Sequence, residues 1–166
     1  RPPGPRKALA PLLTADLLYV LRMAGHGDDI VICDANFPAH EVSTKTTSGK
    51  LVTLAGADTA EATRAICSVL PLDYFVDCPA HFMSPQEGAS LPPLGAEVHA
   101  AFRAALAEAG NADVKVEPID RFSFYDCARR GYAVVQAQGE RRPYGWFIPR
   151  EGGGGPGAWG RRGGAG

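Results

Sequence analysis

The sequence predicts a layered α/β domain. Short apolar runs of β character, each bounded by turn residues, alternate with stretches of helical period, and the two kinds follow one another along the chain without segregating. No segment repeats. The 166 residues, 45% hydrophobic and 21% charged, suit a single globular domain.

Thr14 is a good N-cap for a first helix, with Asp16 in its first turn and Leu17, Leu18, Leu21 and Ala24 on one face. Gly25 is expected to end it as a left-handed C′ residue. Ile30-Val31-Ile32-Cys33 is too short and too apolar to be anything but a buried strand. A polar loop, Glu41 to Lys50, leads to a strand over Leu51–Leu54. Asp58 and Glu61 form a capping box, and Ala62, Ala65, Ile66, Val69 and Leu70 give the next helix its apolar stripe up to Pro71. Tyr74 to Val76 reads as a short strand running into a loop, Pro79-Ala80-His81-Phe82-Met83.

A third helix, from about Gly95 to Ala109, carries Val98, Phe102, Ala105 and Leu106 and stops at Gly110. Val114 to Ile119 reads as a strand, an edge or a short one since Pro118 cannot donate to a ladder. Asp120 caps a fourth helix with Phe122, Phe124 and Tyr125, of which Phe122 is expected in the core. Tyr132–Gln136 and Trp146–Ile148 read as a hairpin-like pair. Residues 1–10 and the Gly-rich 152–166 cannot bury enough apolar surface to order themselves, which leaves 11–151 as the domain.

A net charge of −1 provides no field to gather nucleic acid or an anionic membrane, and no apolar run spans a bilayer. The basic, Pro-rich start and the interruptions at Pro11, Thr14 and Asp16 make a poor secretory signal. Cys33, Cys67, Cys78 and Cys127 show no C-x-x-C spacing, so neither zinc nor a disulfide framework is expected; free thiols fit a reducing, cytoplasmic setting.

Chemistry concentrates between Gly25 and Pro38. His26 sits between two glycines, Asp28 and Asp29 follow, and Asp34 stands where the first strand ends. A flexible entry loop and a strand exit can bring His26 and Asp34 to one cavity, which makes an acid/base site the first expectation. Alone, a His between glycines is more often a turn residue, and Asp34 could merely cap the next turn.

Gly25-His26-Gly27-Asp28-Asp29 with Asp34 and Phe37-Pro38-Ala39, then Leu70-Pro71-Leu72-Asp73, Arg121-Phe122-Ser123-Phe124-Tyr125, Ala133-Val134-Val135, Gly139-Glu140 and Tyr144-Gly145 occur in order over Pro11 to Arg150. That succession closely resembles the fucose mutarotase and ribose pyranase (RbsD/FucU) family, its fucose branch in particular. The resemblance implies a three-layer α/β/α sandwich that self-associates into a homo-oligomer, often a decamer, with sugar sites near subunit interfaces. It implies cofactor-free interconversion of the anomers of a free monosaccharide such as L-fucose.

By the same resemblance the proton-transferring histidine falls on His26, and sugar-binding positions fall on Asp34, Asp73, Met83, Arg121, Tyr125 and Tyr144. Trp146 stands where the family reads Asn; it could stack on a sugar or fill the pocket. Residues 53–56 read Thr-Leu-Ala-Gly where the family has Arg-Ala-Asp-Gly. Asp73 could equally be a turn former and Met83 a plain wall, and His40, His81 and His99, without acidic partners at telling spacings, read as surface or structural. Ribose or another sugar as substrate, and a non-catalytic sugar-binding or assembly protein, are the alternatives. A nucleotide-binding Rossmann protein is disfavoured because no G-x-G-x-x-G follows the first strand.

Overall fold

Thr14 caps α1 (Ala15–Met23) by accepting from Leu17 N–H at 3.2 Å, and the helix buries Leu17, Val20 and Leu21. In the computed structural model, which describes residues 9–153, α1 ends at Ala24. The expected N-terminal segment and Gly-rich tail lie outside the described residues apart from Leu9, Ala10, Gly152 and Gly153. Left-handed backbone falls on Gly27 (φ 88°), not on Gly25 as expected, so the reversal comes after His26.

β1 (Ile30–Cys33) is buried along its whole length. α2 (Ala39–Ser43) runs into the start of the expected polar loop and is too short for its periodicity to register in the sequence. β2 (Leu51–Leu54) and α3 (Thr59–Cys67) follow, the latter opened by the Asp58–Glu61 capping box. The expected strand at Tyr74–Val76 is a turn: Asp73 Oδ1 accepts from Phe75 N–H at 2.9 Å, and this local bond overrides the β propensity of the aromatics. β3 is Ala80–Met83, in the stretch expected to be a loop.

α4 (Pro93–Glu108), the edge strand β4 (Val116–Ile119), α5 (Arg121–Arg130), β5 (Ala133–Ala137) and β6 (Phe147–Pro149) complete the chain. α5 buries Phe124 and Ala128, which turns Phe122 outward, 68% exposed and not in the core.

The six strands form one sheet in the order β2-β5-β1-β6-β3-β4, with β6 alone antiparallel. β5 and β6 are therefore no hairpin: β1 lies between them, pairing in parallel with β5 from Ile30↔Ala133 to Cys33↔Gln136. Buried both sides, β1 gains more as a central strand than the hairpin could offer. On one face Leu17, Ile66 and Phe102 of α1, α3 and α4 pack on Ile30, Ile32 and Val135. On the other, Val42 and Phe124 of α2 and α5 pack on Val31, Cys33 and Val134. The result is the expected three-layer α/β/α sandwich, and the carboxyl ends of its five mutually parallel strands share one rim.

Candidate active site

That rim holds a cavity of about 350 Å³ lined by Asp34, Met83, Arg121, Tyr144 and Trp146, among others. Open α/β sheets bind ligands outside the carboxyl ends of their strands, and β1, β3 and β4 each deliver a residue at that end. Asp34 leaves β1 into a turn where its Oδ1 accepts from Asn36 N–H at 2.9 Å and Phe37 N–H at 3.0 Å. Burial pushes its carboxyl above the usual carboxylate range, while the Trp146 N–H and these backbone N–H groups pull the other way. Trp146 Nε1 is buried and faces Asp34 without reaching hydrogen-bond geometry with any described residue.

The β5–β6 loop presents Tyr144 and Trp146 under firm constraint. Glu140, fully buried, accepts from Arg142 Nε and Nη2 at 2.8 Å each and from Thr59 Oγ1 at 3.1 Å. Its carbonyl accepts from Ala35 N–H at 3.0 Å, which ties this loop to the Asp34 turn. Tyr144 holds φ at 67°, in the left-handed region that a tyrosine adopts only when its surroundings enforce it. Its carbonyl pairs with His99 Nε2 at 3.1 Å, and because a carbonyl only accepts, that nitrogen carries the proton. Gly145 leaves little room for a side chain, since a Cβ there would stand 3.2 Å from Asp34 Cβ and 3.1 Å from Glu140 Cγ, which would have to give way by a few tenths of an ångström.

Tyr125 does not line the cavity. It stacks on Phe37 (centroids 5.7 Å apart) and meets Trp146 edge-on (5.4 Å), so it backs the wall, with the Arg121 guanidinium 5.8 Å from its ring. His99, Glu140 and Arg142 were missed as site supports. Glu140 and Arg142, two residues apart in the sequence, offered a signal; His99, forty-five residues from Tyr144, offered none.

His26 and Asp73 lie elsewhere. β1 separates Asp29 from Asp34 by about 16 Å at a strand's rise, so the expected shared cavity of His26 and Asp34 does not form within one chain. His26 lines a second depression of about 450 Å³ with Arg22, Leu70, Glu151 and Gly153. Its Nε2 is 3.3 Å from Oδ1 of the buried Asp73, and its ring stacks on Phe75 at 5.4 Å. Asp73 is thus both the turn former and the histidine's acidic partner. Glu151 adds a buried Oε2 that no described residue satisfies.

The thiols of Cys33 and Cys67 are pushed up by burial, Cys67 to about 12, which leaves both inert. Among the described residues one group, Cys78, His81 and Glu117, brings together donors of the kind that hold a metal ion.

The model of the RbsD / FucU transport protein family matches residues 7–152. The chain belongs to this family. It is 34% identical over 146 residues to an L-fucose mutarotase of Actinobacillus pleuropneumoniae serotype 5b, covering 88% of this chain and 95% of that one. It is 36% identical over 147 residues to a fucose mutarotase of Danio rerio, covering 88% and 92%. A crystal structure of the fucose mutarotase from Streptococcus pneumoniae in complex with L-fucose superposes with a TM-score of 0.76 at 28% identity, covering 89% and 98%. No helix among the described residues is long and apolar enough to cross a membrane.

Proposed function

We propose that this family member is a mutarotase that interconverts the α and β anomers of L-fucose. The observation that carries this reading is the rim cavity: its volume suits one monosaccharide, and it sets Asp34, Arg121, Tyr144 and an unpaired Trp146 N–H against apolar surface from Met83, Pro85 and Pro143. Polar groups of that kind bind hydroxyls, and the apolar side suits the methyl group of a 6-deoxy sugar. Ribose has no such methyl, which favours the fucose reading over a ribose pyranase. The named relatives point the same way.

Ring opening breaks the C1–O5 bond: a base takes the anomeric hydroxyl proton as an acid gives one to O5, yielding the aldehyde. Rotation about C1–C2 and the reverse steps close the other anomer. Histidine suits both directions near neutrality, and positioned proton transfer contributes roughly 10²- to 10⁴-fold. His26 takes this role, with Asp73 orienting its imidazole. Asp34, Arg121 and Tyr144 hold the sugar.

His26 reaches the rim cavity only from a second copy of the chain. Exposed Val69 lines the His26 depression and exposed Phe75 stacks on His26, which gives that copy an apolar surface to cover. A homo-oligomer follows from this reading, and the four free cysteines suit a cytoplasmic setting. NMR saturation transfer between the anomers of L-fucose, D-galactose and D-ribose tests it: accelerated exchange with L-fucose supports the reading, whereas binding without acceleration makes the protein a sugar binder.

A further inference from the structure

Away from both depressions, strands β3 and β4 form the outer edge of the sheet. Cys78 and His81 stand in C-x-x-H spacing at the start of β3, and the parallel register sets His81 directly opposite Glu117 of β4. Directly paired residues project to the same face, and the Cys78 thiol lies beside β4 too, 3.5 Å from the Lys115 carbonyl. The sulfur, an imidazole nitrogen and a carboxylate oxygen all lie within 4.8 Å of one another. None of the three residues lines the rim cavity or the His26 depression.

We propose that Cys78, His81 and Glu117 form a binding site for a divalent transition metal ion, zinc by preference. One thiolate, one imidazole and one carboxylate make a donor set zinc accepts in tetrahedral geometry, whereas calcium and magnesium take oxygen alone. Bond lengths near 2.0–2.3 Å require ligand atoms about 3.6 Å apart, so the donors close by at most about 1 Å, a movement within reach of partly exposed side chains. On binding, Cys78 releases its thiol proton to solvent and gives up its hydrogen bond to the Ala80 carbonyl. The exposed Lys115, which now pairs with Glu117, yields to the ion. Solvent fills the fourth position.

The ion takes no part in sugar chemistry. Its place is mechanical: among the described residues β4 is joined to the sheet through β3 alone, and Pro118 has no N–H for the ladder. A bond from each strand to one ion fastens that edge.

Metal-free protein titrated with Co²⁺ tests the site directly. A thiolate-to-cobalt charge-transfer band that saturates at one ion per chain is expected, with Zn²⁺ displacing the cobalt and raising Tm. Cys78→Ser abolishes the band. His81→Ala weakens Zn²⁺ at least by the roughly 10- to 100-fold that losing a ligand's supporting partner alone costs. Cys127→Ser leaves both unchanged, and unchanged melting of each metal-free variant shows that the fold persists. A band that survives Cys78→Ser, is lost in Cys127→Ser, or never forms would overturn the proposal.

Discussion

His26 Nε2 and Asp73 Oδ1 stand 3.3 Å apart, joining the turn before β1 to the turn before β3. Asp73 is buried and already accepts from Phe75 N–H, so its carboxylate is fixed before it meets the imidazole. Asp73→Asn keeps that backbone bond and removes the charge. Anomer exchange by saturation transfer is expected to fall about tenfold, with a further loss toward the uncatalysed rate, roughly 10²- to 10⁴-fold in all, for His26→Ala. Unchanged exchange in Asp73→Asn would show the contact to be structural.

Two buried carboxylates respond to pH with opposite sign. Asp34 is raised above its ordinary 3.8 by burial, so its ionisation opposes folding: the penalty is absent below that value and complete above the raised one. Asp34→Asn retains an acceptor for Asn36 and Phe37 N–H and removes the penalty. Its Tm is expected to overtake that of wild type as pH rises from 4 to 7, at the expense of L-fucose affinity. Burial alone would raise Glu140 too, but the Arg142 guanidinium and N–H outweigh it and hold the carboxyl below 4.5. Its stabilisation is full above 4.5 and lost as pH falls through the lowered value. Glu140→Gln should therefore melt below wild type at pH 7 and converge with it in acid, as calorimetry across that range would register.

Trp146 combines a core ring with an unpaired N–H. The ring lies 4.9 Å from Phe37 and 5.6 Å from Phe124, so truncation to Ala should cost about 3–5 kcal/mol. Trp146→Phe keeps most of the packing and deletes the donor facing Asp34. If that donor binds the sugar, KM for L-fucose rises about 5- to 10-fold, one hydrogen bond's worth, with little change in Tm. An unaltered KM would make Trp146 simply a wall.

Much of this was legible in the residues. Capping at Thr14, Asp58 and Asp120, the apolar run of β1 and the proline of β4 fixed those elements because each acts locally. Sheet order is set by non-local pairing, so the adjacency of β5 to β1 had no local signature. The partnership of His26 with Asp73 was hidden likewise. The spacing from His26 to Asp34 suggested proximity, but the strand between them holds the two apart. His81 has no acid at a telling spacing because its partner, Glu117, arrives through strand register and not through sequence distance.

The separation of His26 from Asp34 leads to a test by mixing chains. His26→Ala and Asp34→Asn variants should each be nearly inactive alone. If every site draws its histidine from one chain and its aspartate from another, a randomly co-assembled equal mixture carries both native groups at about a quarter of its sites. Exchange activity should return to about that fraction of wild type after joint unfolding and reassembly. Separately assembled variants, mixed without subunit exchange, should show none. A site contained within one chain predicts no recovery under either protocol, because every chain then carries a lesion. The level of recovery therefore reports whether the sugar site is built between copies.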